Sequence, residues 1–336
     1  MTLAIRYCNT PAGRVAYCVS GAGPPLLCEP GWVTHLTAQP DLFAFGEFID
    51  RLADHFTVIR YDKPGCGLSD RTSTDFSFAA QVGAALAVAD AARAKNLIVF
   101  GASQGGQVAA AMAARHPERV RALIVYGMCA DGGELAPAEI RDSIVALVKA
   151  HWGLGSKMMT GIFVPDPTAA DAAAFGHAQR ISATAKVASQ YLATYYETDI
   201  RSLLPAISAP TAVLHREGDT ATPFELGREV AALIPHAELH PLPGTGHLYY
   251  HGEWQAVLDA MLAFLGRAVD SDPKLTSREI EVARLVAAGL TNHAIASTLS
   301  VAPRTAEAHV ENIRRKLDVR SRAQIAAWVT ARAAAD

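Results

Sequence analysis

The sequence has no Cys-x-x-Cys pair. Its five cysteines, Cys8, Cys18, Cys28, Cys66 and Cys129, are scattered and odd in number, which argues against a disulfide framework or a zinc site and fits a reducing cytosol. It also lacks an uncharged apolar run of about 18 residues. Its opening, MTLAIRYCNTPAGRVAY, has no charged segment ahead of an apolar core of roughly 7–15 residues. Neither export nor membrane insertion is expected, and the cytoplasm is the expected compartment. There is no excess of positive charge either. Thirty Lys and Arg against 33 Asp and Glu leave −3 at pH 7, so any nucleic-acid binding has to be confined to one region. No cofactor and no bound metal are expected.

What the sequence does have is apolar content, 50% of 336 residues, ample for one large and one small domain. Short β-branched runs alternate with helical patterns up to about residue 268, the sequence form of a mostly parallel α/β sheet. Strands are expected at RVAYCVSG, PLLCEPG, TVIRYD, LIVFGA, RALIVYG, TAVLHREG and AELHPLPG. Helices are expected near 41–55, 76–94, 105–116, 223–234 and 253–266. Between IVYG and PTAVL the spacing is helical, without a strand, over a stretch too long for a loop. An inserted helical cap, about 129–205, is expected there. Its Trp152, Met158, Phe163, Tyr191 and Tyr195 are candidate pocket residues, although such a stripe is more often core.

At LIVFGASQGGQ a buried strand runs into Gly-x-Ser-x-Gly and then into a helix. A serine on so sharp a turn needs small neighbours at Gly101 and Gly105, and the helix N-terminus aims amides at charge developing beside Ser103. The context resembles the α/β-hydrolase fold, whose triad runs Ser, Asp or Glu, His along the chain. LHREGDTATP places Asp219 past a strand end, and LPGTGHLYY places His247 in the loop after the next strand. By this resemblance Ser103 attacks, His247 is general base and then acid, and Asp219 orients the imidazole. Glu217 and Asp131 are rival acids. The backbone N–H groups of Gln104 and Trp32 are the candidate oxyanion donors, with Pro30 in CEPGWVTHL standing where many members carry His. RYDKPGCGLSD fits the family's Asp-x-x-Gly-x-Gly-x-Ser turn, and Cys66 within it reads as a buried filler.

After a polar stretch read as a linker, 269–274, the pattern changes to short amphipathic helices. Residues 269–336 hold ten Lys and Arg against eight acids, or +2, leaving −5 for residues 1–268. Residues 275–336 resemble the LuxR-type helix-turn-helix domain over LTSREIEVARLVAAGLTNHAIASTLSVAPRTAEAHVENIRRKLDVRSR. The resemblance implies a small four-helix domain on double-stranded DNA, with a recognition helix from about Pro303 to Lys316 and a last helix pairing two subunits. Arg304, Thr305, Lys316, Arg320 and Arg322 would hold phosphates. Glu307, Ala308, His309, Glu311 and Asn312 would face the bases, with the two glutamates a departure from the basic residues usual there. RNA polymerase is a partner by the same resemblance. Two functions compete: a transcription regulator whose hydrolase-fold domain binds, and hydrolyses, a small ester, lactone or acyl effector, and an esterase or lactonase with a DNA-binding tail. A receptor with a vestigial triad is the third reading.

Overall fold

Strand β5 (Leu97–Ala102) is buried at every position, as a strand covered on both faces must be. It lies within an eight-stranded sheet that also contains β1 (Arg6–Thr10), β2 (Gly13–Ser20), β3 (Pro25–Glu29), β4 (Thr57–Tyr61), β6 (Val120–Tyr126), β7 (Thr211–Arg216) and β8 (Glu238–Leu242). The order is β1-β2-β4-β3-β5-β6-β7-β8. The pairs β1–β2 and β2–β4 are antiparallel and all later pairs are parallel. The computed structural model describes residues 3–270, 275, 277–317, 319 and 321–333. Strand β1 was not among the expected strands. RYCNT is half exposed, with no apolar face to announce it, and it pairs at the sheet edge with β2.

Helices α1 (Phe45–Ala53), α2 (Phe78–Ala91), α3 (Gln104–Arg115), α8 (Phe224–Leu233) and α9 (Trp254–Asp270) accompany the sheet. Between β6 and β7 lie only helices: α4 (Ala138–Ala150), α5 (Trp152–Phe163), α6 (Ala169–Ser182) and α7 (Ala185–Glu197), the expected cap. Thr168 and Thr184 cap α6 and α7 by accepting the amides of Asp171 and Val187, which satisfies helix donors that would otherwise be orphaned. The main core, including Leu27, Ile59, Val99 and Leu123 from successive strands, packs against Val82, Val88, Val108 and Met112. A separate cluster of Trp32, Val148, Met159, Val187 and Tyr191 holds the cap.

The chain divides into two compact units, Met1–Phe264 and Leu265–Asp336. Helix α9 runs to Asp270 rather than to Gly266, because no helix breaker follows until Pro273. Residues 269–270 of the expected linker are therefore helical, and the remainder lie outside the described residues. The second unit holds α10 (Ser277–Ala287), α11 (Asn292–Thr298), α12 (Pro303–Lys316) and α13 (Arg322–Ala333). Val282, Val286, Ile295, Ala306, Val310, Ile313 and Ile325 form its core. Gly289, at φ +83°, ends α10 in the left-handed conformation that glycine adopts without strain.

Candidate functional site

Ser103 has φ 55° and ψ −128°, a region that costs a non-glycine residue about 1–3 kcal/mol. The neighbours explain why the turn tolerates nothing larger. A Cβ on Gly101 would lie 2.4 Å from the Gly105 carbonyl oxygen, and one on Gly105 would lie 2.4 Å from that of Pro30. The Ser103 amide donates to the Tyr126 carbonyl at 2.8 Å, and α3 starts at the next residue, leaving the Gln104 N–H among the unpaired donors of a helix N-terminus.

His247 Nδ1 lies 2.8 Å from Asp219 Oδ2 and 3.1 Å from Oδ1, both side chains being buried. The other lone pairs of Asp219 Oδ1 accept the amides of Ala221 and Thr222 at 2.9 and 3.0 Å. Burial works against the Asp219 charge, but the His247 imidazole and the Thr222 amide outweigh it, and the carboxyl sits below its ordinary range. Phe163, the last residue of α5, stacks on the imidazole at 5.4 Å and accepts the His247 amide at 2.9 Å. The rival acids are elsewhere: Glu217 is exposed, and Asp131 pairs with Arg201 at 2.8 Å.

Ser103 and His247 line one cavity of about 950 Å³ including its mouth, but among the described residues no hydrogen bond joins their side chains. The buried hydroxyl of Tyr195, on the cap, accepts from the Cys129 thiol at 3.5 Å. A serine–imidazole contact is often loose in an unliganded site and tightens only when substrate arrives.

The five cap residues expected to line the pocket divide. Phe163 does line the cavity, while Trp152, Met158, Tyr191 and Tyr195 do not. Trp152 sets its ring edge-on to Trp32 at 5.6 Å and donates its indole N–H to Ala183. Met158 packs beside them. The Tyr191 hydroxyl donates to the Pro64 carbonyl at 2.8 Å. Helical spacing could not say which face of each cap helix turns inward. It is α6 that supplies Phe175, Ala178, Gln179 and Ser182, and the sheet side that supplies Phe45, Tyr249 and Tyr250.

A buried polar cluster beneath the serine was not anticipated. The Lys63 ammonium donates to the Gly31 carbonyl at 2.9 Å and to Gln104 Oε1 at 2.8 Å, and sits 4.1 Å from the centre of the Tyr191 ring. One cation thereby ties the loop carrying the Trp32 amide to the residue carrying the Gln104 amide. Burial pulls Lys63 down to about 8. Close by, Glu29 accepts from the Tyr61 hydroxyl at 2.6 Å, and burial pushes its carboxyl up to about 8. The Asp62 turn is structural: its carboxylate accepts the Leu36 and Leu68 amides. Cys66 is buried with its thiol pushed up to about 12, no nucleophile at neutral pH.

On α12 the side chains of Arg304, Thr305, Glu307, Ala308 and Glu311 are exposed, with His309 and Asn312 half-buried. Lys316 and Arg322, both expected to hold phosphates, are bonded within the unit. The Lys316 ammonium pairs with the buried carboxylate of Glu279 on α10 at 2.6 Å, since a buried acid requires a cation. Arg322 donates to Asn292 Oδ1 and to the Leu290 carbonyl, fastening the start of α13 to the start of α11. Arg320 lies outside the described residues.

A model of the alpha/beta hydrolase fold matches residues 24–253, and one of the luxR family of bacterial regulatory proteins matches residues 273–329. The chain belongs to the alpha/beta hydrolase fold family and carries a LuxR-type DNA-binding region at its C-terminal end. Its last part is 44% identical over 57 residues to the nitrate/nitrite response regulator NarP of Escherichia coli, covering 17% of this chain and 26% of that one. Another stretch is 31% identical over 68 residues to the AB hydrolase superfamily protein YisY of Bacillus subtilis, covering 20% and 25%. The chain thus spans about a quarter to a third of the length of the curated relatives it matches. Among solved structures it resembles a hydrolase from Pseudomonas aeruginosa at TM-score 0.69 and 26% identity, covering 78% of this chain and 98% of that one. It shares the fold of the enol-lactonase from Burkholderia xenovorans at TM-score 0.66 and 21% identity, covering 78% and 100%. No helix among the described residues is long and apolar enough to cross a membrane.

Proposed function

We propose that this protein is a cytoplasmic transcription regulator whose hydrolase-fold unit binds and hydrolyses a small ester or lactone effector. The observation that carries the reading is the buried His247–Asp219 pair in the cavity that also holds Ser103 on a strained elbow. A turn that is merely architectural has no use for a buried imidazole oriented by a carboxylate. Ser103 Oγ attacks the acyl carbon while His247 Nε2 takes its proton, and the Gln104 and Trp32 amides receive the oxyanion. His247 returns the proton to the departing alkoxide, and water then frees the acid.

In the second unit, Arg304 and Thr305 hold phosphates, with Glu307, Ala308, His309, Glu311 and Asn312 toward the base edges of double-stranded DNA. Two copies would sit on paired half-sites through α13 and meet RNA polymerase there. Lys316 ties α12 to Glu279 on α10, and Arg322 ties α13 to the start of α11.

The test is covalent labelling of the full chain by a fluorophosphonate, with the mass shift mapped to Ser103 and lost in Ser103→Ala. An unlabelled wild-type protein would leave the cavity a receptor only. In parallel, selection of duplexes by the full chain should yield binding whose log K falls with log salt concentration, and the absence of any such binding would refute the regulator.

A further inference from the structure

Arg60 lies on β4 in register with Cys18 of β2 and Cys28 of β3, and Cys28 in turn with Phe100 of β5. Its guanidinium thus stands on an apolar face of the sheet, 6% exposed, against the Phe45 ring at 5.3 Å. Its Nε and Nη1 have no hydrogen-bond partner, and no carboxylate among the described residues forms an ion pair with it. Neither Asp62 nor Glu29, the acids of the neighbouring strand ends, forms an ion pair with it. Asp62 accepts the Leu36 and Leu68 amides, and Glu29, pushed up to about 8 by burial, leans on Tyr61 and is largely uncharged at neutral pH. A buried cation without an anion is strongly unfavourable, and one aromatic face offsets only part of that.

This cation lines the same cavity as Ser103 and His247. Three further orphan polar atoms belong to residues of that wall: Glu29 Oε2, Thr34 Oγ1 and Gln179 Oε1. Native interiors leave few such atoms unsatisfied, and four residues of one cavity doing so marks a place where a ligand completes the bonding. The remaining wall is apolar, with Leu36, Leu42, Phe45, Phe163 and Phe175. One fixed positive charge calls for one negative charge, and the planar guanidinium fork matches a carboxylate.

We propose that the cavity takes an acyl compound bearing a second, free carboxylate, which Arg60 binds while the ester or lactone carbonyl lies at Ser103. The inference rests on the hydrolase reading for the reaction, not for the binding. Attack by Ser103 Oγ forms the acyl-enzyme and releases the alcohol, and water then releases a dicarboxylic acid, or from a lactone the corresponding hydroxy diacid.

The test compares 4-nitrophenyl monoesters of straight-chain dicarboxylic acids, from succinate to suberate, with 4-nitrophenyl esters of monocarboxylic acids of equal length, on the full chain. The acid-bearing series should be preferred in kcat/KM, by tenfold or more at the best length. Arg60→Met should cut that preference about 10- to 100-fold, the range of a charged hydrogen bond, and Arg60→Lys should retain part of it. Equal rates on the two series, or a preference that survives Arg60→Met, would overturn the proposal. Should no ester be turned over, the hydrolase reading fails by itself, and calorimetric binding of glutarate, adipate and suberate to Ser103→Ala decides the anchor. Binding that disappears in Ser103→Ala/Arg60→Met supports it, and no binding at any length overturns it. Inorganic phosphate competing as well as the diacids would also overturn it, since the site would then read charge and not a carboxylate.

Discussion

Replacing Glu29 by Gln should flatten the pH dependence of stability of the hydrolase-fold unit. Glu29 is 4% exposed, its Oε1 accepts from Tyr61 and its Oε2 has no partner. Burial raises its carboxyl from 4.5 to about 8. Between those two values the native state holds a proton that the unfolded chain has released, so stability falls as pH rises, by at most about 1.4 kcal/mol per pH unit. Over the window the limit is about 4–5 kcal/mol, and with water entry and relaxation returning part of it we expect about 2–4. Lys63, pulled down to about 8, is charged in both states through the lower part of this window and adds slope only near its upper end. Above pH 8 the native state gives up the Lys63 proton before the unfolded chain does, and stability should turn upward. Glutamine preserves the Tyr61 contact and cannot titrate. Calorimetric unfolding of wild type and Glu29→Gln from pH 5 to 9 reads the difference directly. At about 2–4 °C per kcal/mol for a unit of this size, the variant should gain roughly 4–16 °C over wild type between pH 5 and 8. Parallel curves would refute the assignment of a buried, protonated carboxyl.

Other side chains give independent checks. Lys63→Met severs the tie between Gly31 and Gln104 and should lower kcat on activated esters by about 10- to 100-fold with a smaller change in KM, since under the proposed mechanism the amides it steadies receive the oxyanion. A change confined to KM would contradict that role. Glu279→Ala deprives Lys316 of its buried acid and should destabilise the C-terminal unit by about 1–3 kcal/mol, seen by urea unfolding as a lowered midpoint.

Seven of the eight strands, the elbow, and the Asp219 and His247 loops were legible because each leaves a local mark. A buried strand is an unbroken apolar run, and an elbow needs glycines two residues either side of its serine. Strand β1 leaves no such mark, being polar and paired only at an edge. The cluster of Glu29, Lys63, Arg60 and Gln104 was invisible for another reason. Each sits beside an apolar strand in a motif that has a structural explanation, and its partners are brought together only by the sheet order that sets β4 between β2 and β3. Lys316 is similar: on a helix expected to bind DNA a cation reads as a phosphate contact, and its pairing with a buried acid 37 residues away is not visible in the sequence.

The cap is more than a roof over the serine. Phe163 ends α5, holds the His247 amide on its carbonyl and stacks its ring on the imidazole. His247 is thus held by a cap helix, and Asp219 by backbone amides of Ala221 and Thr222 outside the cap. A ligand that packs on Phe163 and Phe175 touches the element that holds this imidazole. Under the proposed mechanism, occupancy of the cavity and orientation of His247 are coupled through α5, so substitutions in the cap that leave the fold intact should alter turnover before they alter stability.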